Sequence, residues 1–314
     1  MNVTHVLLRL LVVAVIFVNG WTDAPNAIAT AVGSGALSFR KGVGLAAACN
    51  FIGAAASCLL FPAVAATVGD LVSFADEQAA LTALCASMLA IVLWAVAAWR
   101  FGLPTSESHA LLAGLSGSAL ALGGQTAALN GSAWLKVGLG MVLSLAAGAL
   151  AGRGLRQILA RRQCNAVTWQ RFAAGGMALL HGAQDSQKFL AFLLLADSLG
   201  GAESTHSILL LLLVSGVMAL GTALGGKPIV EKVGQELAGL TPKEGLAADL
   251  GAGAVLLVCS ILGLPVSTTH AKVAAICGAG QHPDARVIGQ IGGAWALTFP
   301  CCALLAFLLT KLML

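Results

Sequence analysis

Hydrophobic residues run along this chain in long stretches. Val6–Val18, Gly42–Val68, Ala79–Trp99, Ala133–Gly152, Phe172–Ala196, Ser207–Gly225, Gly245–Leu262 and Val287–Leu312 are apolar over near-spanning lengths. About 20 such residues in a helix cross a bilayer core, where every backbone polar group must be satisfied internally. Pro104–Gly123 and Pro265–Gly280 are also apolar, but they are Gly-rich and polar at their starts. They are expected to form broken helices or re-entrant hairpins. Val6–Val18 lacks the basic start and small-residue cleavage site of a leader and runs on into a polar motif, so it reads as a span. The predicted fold class is all-α, a polytopic membrane protein.

Composition sharpens this picture. Of 314 residues, 58% are hydrophobic and 10% charged, against about 25% charged in soluble domains, so the chain cannot cover itself with a hydrophilic surface. The 38 glycines fit close-packed membrane helices. A net charge of +4 without a basic aromatic surface speaks against nucleic acid as a partner. Cys49, Cys58, Cys85, Cys164, Cys259, Cys277, Cys301 and Cys302 have no repeating spacing and read as small apolar residues, not a disulfide framework. HExxH, GxSxG and Walker patterns are absent, so no enzyme is expected.

Two motifs occur twice in the same order. Gly102–Ala110 (GLPTSESHA) returns as Gly263–Ala271 (GLPVSTTHA) at an offset of 161, with six of nine positions identical. Asn19–Asn26 (NGWTDAPN) aligns with His181–Lys188 (HGAQDSQK) at an offset of 162, pairing Gly20 with Gly182, Asp23 with Asp185 and Asn26 with Lys188. The chain is therefore expected to be two transmembrane repeats, residues 1–160 and 161–314, joined by an Arg-rich cytoplasmic loop at about 153–171. About five crossings per half would make the repeats inverted, as in secondary transporters. Short Lys/Arg-rich loops stay cytoplasmic. Arg40, Lys41, Arg100 and the Arg153–Arg171 cluster are then inside. Asp70, Asp76, Glu77, Asp197 and Glu203 are outside, and both termini external.

Asp23 and Asp185 lie inside apolar runs, where a charge costs several kcal/mol unless it holds something. Gly20 and Pro25 flank Asp23, and Gly182 precedes Asp185, so both helices are expected to be interrupted. Thr22, Asn19, Asn26 and Thr30 add oxygens of the kind a hard cation requires. In the paired hairpin motif, Gly-Leu-Pro is followed by hydroxyl residues that open a helix. Free N–H groups, a positive dipole end and hydroxyls together suit an anion. Inverted symmetry would bring the two helix starts together around one tetrahedral oxyanion. His109 and His270 are candidates for gating or support.

The segments GWTDAPNAIAT, HGAQDSQK, GLPTSESH and GLPVSTTH, with Asn50–Gly53, resemble the signatures of the inorganic phosphate transporter (Pit) family over nearly the whole chain. HGAQDSQK is similar to the bacterial branch in particular. The resemblance implies a carrier in the bacterial plasma membrane that imports phosphate by symport with sodium or a proton, with no tightly bound cofactor. A sulfate permease of the same fold is the alternative, and an anion channel the more distant one. Carried over by position, Ser106, Ser108, Ser267, Thr268 and Thr269 match the family's anion-binding hairpins and Asp23, Asn26 and Asp185 its cation and substrate motif; Gln184, Asp185 and Lys188 join the hairpin residues in the expected phosphate set. Asp23, Asn26, Thr22 and Asp185 form the cation set, with sodium expected at Asp23 and Asn26. A homo-oligomer is compatible with the sequence.

The chain departs from the family pattern at Gln184, Lys188 and Glu107. Lys188 lies three residues after Asp185, within pairing reach on a helix. Its ammonium would stand where a cation otherwise sits, so the second half is expected to hold fewer metal cations. Glu107, opposite Thr268, either carries a coupling proton or points into a cytoplasmic vestibule.

Overall fold

A computed structural model describes residues 3–60, 63–123, 127–199 and 208–314, with no account of the side chains of 58–60 and 127. Glu203, Ser207 and the Cys58 side chain lie outside the described residues. In chain order the elements are α1 (Val3–Thr22), α2 (Asn26–Gly33), α3 (Phe39–Leu60), α4 (Ala63–Gly69), β1 (Val72–Phe74), α5 (Glu77–Arg100), α6 (Glu107–Leu122), β2 (Ala127–Leu129) and α7 (Gly131–Ala160). There follow α8 (Ala166–Leu199), α9 (Ile208–Leu224), α10 (Lys227–Glu231) running into a π-helical turn at Lys232–Glu236, α11 (Pro242–Ile261), α12 (Thr268–Ala279) and α13 (Ala285–Met313).

The chain is a multi-pass helical membrane protein. Val3–Gly33, Glu77–Arg100, Gly131–Ala160, Pro242–Ile261 and Ala285–Met313 are each long and apolar enough to cross a bilayer. Helix α9 and its continuation Lys227–Glu236 form a further span bent by 69° if taken as one. Leu135, Leu139, Leu143 and Leu150 on α7, and Leu297, Leu304 and Leu308 on α13, stand exposed, the surface expected to face lipid. At 1.5 Å per residue, α6 and α12 reach only about 24 and 18 Å, too short for a hydrocarbon core of about 30 Å. They are the half-length helices expected from the hairpin motifs.

Six helix contacts fall into three pairs related by the sequence offset. Helix α1 packs on α9 and α3 on α8, α6 on α13 and α12 on α7, α5 on α13 and α11 on α7. Gly20 and Gly182 permit the first two contacts. A Cβ on Gly20 would run into the Met218 backbone, and one on Gly182 into that of Asn50.

Two hydrophobic cores lie on either side of the polar motif. One gathers Leu8–Ile16 of α1, Leu81–Ile91 of α5, Ala110–Leu115 of α6 and Phe189–Ala196 of α8. The other gathers Ala27–Ala31 of α2, Met177 and Ala178 of α8, Ala247–Cys259 of α11 and Ala271–Ala279 of α12. The chain therefore runs from the first core to the second through Asn19–Asn26, and from the second to the first through His181–Lys188.

Three features differ from the sequence reading. Helix α8 is continuous, so Gly182 does not interrupt it. The repeat position of Pro25 is Gln187, which keeps its backbone N–H. The segment 153–171 is mostly helix, leaving only 161–165 between α7 and α8. Its arginines reach loop and cap carbonyls: Arg156 donates to Gly280 O at 3.2 Å and Arg171 to Ala36 O at 2.7 Å. A short antiparallel ribbon, Val72 opposite Leu129 and Phe74 opposite Ala127, adds strand to the all-helical expectation. The described cysteines are free thiols.

Candidate transport site

Helix α1 stops because Pro25 supplies no backbone donor and disfavours helix at the residue before it. Asp23 N and Ala24 N both close on Asn19 O, at 2.9 and 3.2 Å, and α2 restarts at Asn26. The hairpins open alike. Gly102 and Gly263 take φ of 65° and 66°, left-handed values that favour glycine after a helix end. Leu103 N returns to Ala98 O at 3.1 Å and Leu264 N to Cys259 O at 2.8 Å. The Ser106 and Ser267 hydroxyls then cap the next helices, accepting from His109 N at 3.2 Å and His270 N at 3.1 Å.

These breaks bring Asp23, Asn26, Glu107, Asp185, Lys188, Thr268 and Thr269 into one cluster, each at most 2% exposed. Asp23 accepts from Asn26 Nδ2 at 3.1 Å, from Thr268 Oγ1 at 3.2 Å and from the Thr269 hydroxyl. Asp185 accepts from Asn19 Nδ2 at 3.0 Å, from Thr268 Oγ1 at 3.4 Å and from Lys188 Nζ at 2.5 Å. Lys188 Nζ also donates to Ser108 Oγ at 2.6 Å and Val266 O at 2.7 Å, which uses all three of its protons. Glu107 accepts from Thr22 Oγ1 at 2.5 Å and Asn19 Nδ2 at 3.4 Å. It is buried among these groups rather than turned to a vestibule.

The cluster thus holds three carboxyl groups against one ammonium. Burying unmatched charge is costly, so such a cluster calls for further positive charge. His181 reaches in with Nε2 3.3 Å from Asp185 Oδ2 and 4.0 Å from Asp23 Oδ2, its Nδ1 held 3.0 Å from Asn50 Oδ1. Asp23, His181 and Asp185 each offer one donor atom within 4.8 Å of the others, a geometry open to a cation. Asn19 Oδ1 and Asn26 Oδ1 are buried oxygens without a hydrogen-bond partner among the described residues.

The model of the phosphate transporter family matches residues 19–168 and 160–306. The chain belongs to the phosphate transporter family. Members similar to it include the "probable low-affinity inorganic phosphate transporter" of Bacillus subtilis, 30% identical over 97% of this chain and 96% of that protein. The protein of the same description from Rhizobium meliloti is 32% identical over 93% and 91% of the two chains. A solved structure described as the sodium-dependent phosphate transporter superposes with a TM-score of 0.85 at 20% identity, covering 99% of both chains. It shares the fold. This phosphate transporter family member is a transporter, not an enzyme.

Within this family member, the other residues singled out from sequence fall around the cluster. Gln184 is engaged elsewhere, donating to Leu264 O at 2.8 Å and accepting from Ser260 Oγ at 2.5 Å, which ties α8 to the second hairpin turn. Thr30 donates to Asp249 at 2.6 Å, outside the cluster. The His109 and His270 rings meet with centroids 5.8 Å apart; His270 packs on Trp295 at 3.9 Å and His109 on Phe299 at 5.7 Å. They join the two hairpins. His181 was given no role from sequence, although it occupies the repeat position of Asn19. That correspondence was the signal that could have found it.

Proposed function

We propose that this chain imports inorganic phosphate across the bacterial plasma membrane by symport with a cation, using two inverted repeats (1–160 and 161–314). The anion sits at the paired hairpin starts, on the hydroxyls of Ser106, Ser108, Ser267, Thr268 and Thr269 and the adjacent helix N–H groups, with Lys188 beside them. The coupling cation sits at Asp23 and Asn26, with Thr22 and Asp185 nearby. Gln184 positions the second hairpin instead of touching phosphate.

The observation that carries this reading is the hydroxyl–carboxylate contact between Thr268, Thr269 and Asp23. An anion that accepted those two hydroxyl protons would leave Asn26 as the remaining donor to Asp23 among these contacts, and a cation could then take the Asp23 oxygens. Each guest makes room for the other, which is positive linkage between their affinities. The excess of carboxyl groups in the cluster supports the same conclusion, since an anion adds still more negative charge. The opposite chain directions of the two motifs between the cores, and the reciprocal packing of the halves, support inversion. The loop charges then favour external termini.

Three buried carboxyls against one ammonium favour a second reading for the ion. A proton on one of them would lower the cost of burying their charge, so a proton is the alternative to sodium. Proteoliposomes with labelled phosphate test the proposal. Accumulation above the external concentration under an imposed sodium or pH gradient is expected, with weak inhibition by excess sulfate. Equilibration alone would point to a channel, and equal competition by sulfate to a general oxyanion permease.

A further inference from the structure

The repeat relation carries one inference about how many cations move. Lys188 corresponds to Asn26, Asp185 to Asp23, Ser108 to Thr269, and Val266 to Thr105. The Lys188 ammonium lies between Asp185 Oδ1 at 2.5 Å, Ser108 Oγ at 2.6 Å and Val266 O at 2.7 Å. Carboxylate, hydroxyl and backbone carbonyl oxygens are also what a hard monovalent cation takes as ligands. Asn26 repeats two of these contacts with its amide nitrogen, 3.1 Å from Asp23 Oδ1 and 3.3 Å from Thr269 Oγ1. Its Oδ1 is buried and has no hydrogen-bond partner among the described residues. The carboxylate and hydroxyl of this set therefore occur twice, filled by a side-chain ammonium in one copy and bordered by the Asn26 amide in the other.

We propose that Lys188 is a tethered cation occupying the second of two equivalent coupling sites, so that this residue sets the cation stoichiometry of transport. This rests on the reading of Asp23 and Asn26 as the cation site. The ammonium supplies the charge that a mobile ion would bring to Asp185, and it never leaves. Lys188→Asn would restore the side chain of the first copy, with Asp185, Ser108 and the Val266 carbonyl ready to accept an ion. The variant would carry one more cation per phosphate than the parent.

The test is a reversal measurement in proteoliposomes with the membrane potential clamped at zero. Phosphate and sodium gradients are opposed at fixed pH, and phosphate and pH gradients at fixed sodium. Each coupled cation adds the free energy of its own gradient, so one extra cation raises the phosphate ratio sustained by a tenfold cation gradient by roughly tenfold. Lys188→Asn is expected to show that rise in the sodium or the pH arm. Transport by the variant at the parental stoichiometry in both arms would overturn the proposal. If the parent itself sustains no phosphate gradient in either arm, it is the underlying cation site that fails.

Removing the buried ammonium also leaves the Asp185 charge without its Lys188 partner, so the folding of Lys188→Asn is a second readout. Its melting temperature in detergent is expected to climb with added sodium, or with falling pH, more steeply than that of the parent. The Lys188→Met, Asp185→Asn double variant, neutral at both positions of the second site, should lack that added response. A Lys188→Asn protein that is unstable alike at every sodium concentration and pH would equally overturn the proposal.

Discussion

Outside the central cluster, Lys272 of α12 and Asp249 of α11 form an ion pair with both side chains wholly inaccessible. Lys272 Nζ also donates to Thr30 Oγ1 at 3.1 Å and Ala27 O at 3.4 Å, which ties the second hairpin to α2. The first half has solved the same packing problem without charge: an offset of 161 places Met88 at the position of Asp249 and Leu111 at that of Lys272. Both are buried. Lys272→Leu leaves Asp249 without its counter-charge, and breaking a buried pair in this way costs about 3–5 kcal/mol. That is a large part of a total stability of roughly 5–15 kcal/mol. Lys272→Leu with Asp249→Met copies the first half and should return to within about 1 kcal/mol of the parent, since apolar replacements of buried pairs are often neutral or stabilising. Denaturant titration of the purified protein in mixed micelles, read by tryptophan fluorescence, gives all three values. If the double variant is as unstable as Lys272→Leu alone, the pair contributes more than mutual neutralisation, and the equivalence of the two halves at this position fails.

Four further outcomes follow from the same contacts. Gly102→Ala and Gly263→Ala each force a side chain into a left-handed backbone and should cost about 1 kcal/mol or more, seen as a lower melting temperature. Gly182→Val drives a side chain into the Asn50 backbone and should abolish folded protein on size-exclusion chromatography, whereas the exposed Gly138→Ala should not. Ser267→Ala removes a helix cap worth about 1 kcal/mol and an anion donor together, so phosphate uptake should fall more than stability; equal losses would reduce Ser267 to a cap. Glu107→Gln should flatten the pH profile of uptake if Glu107 shares the coupling proton with Asp23, and a profile unchanged from the parent's would assign coupling to sodium.

The hairpins were readable in advance because their backbone demands particular residues. Only glycine sits easily at the φ of Gly102 and Gly263, and Ser106 and Ser267 are the caps that open the helices behind them. Duplication of so constrained a string exposes the repeat. The Lys188–Asp185 pair was readable because three residues is contact distance on a helix. What escaped were contacts with no local signature. Nothing near Gln184 in sequence indicates that it would reach Leu264 O. Lys272 and Asp249 belong to different helices and have apolar counterparts in the other half. Gly182 resembled a helix breaker because its partner Gly20 precedes Pro25, yet it is proline that breaks and glycine that lets α8 approach α3. The ribbon joining β1 to β2 pairs segments more than 50 residues apart, beyond the reach of periodicity.

On the proposed function, anion and cation meet in one buried cluster and Asp23 links them. Equilibrium binding of labelled phosphate to purified protein, measured across sodium concentration and pH, tests it most directly when parent and Asp23→Asn are compared. Phosphate affinity in the parent should rise with sodium or protons, and Asp23→Asn should lose this dependence while still binding phosphate. A cation dependence that survives undiminished in Asp23→Asn would contradict it.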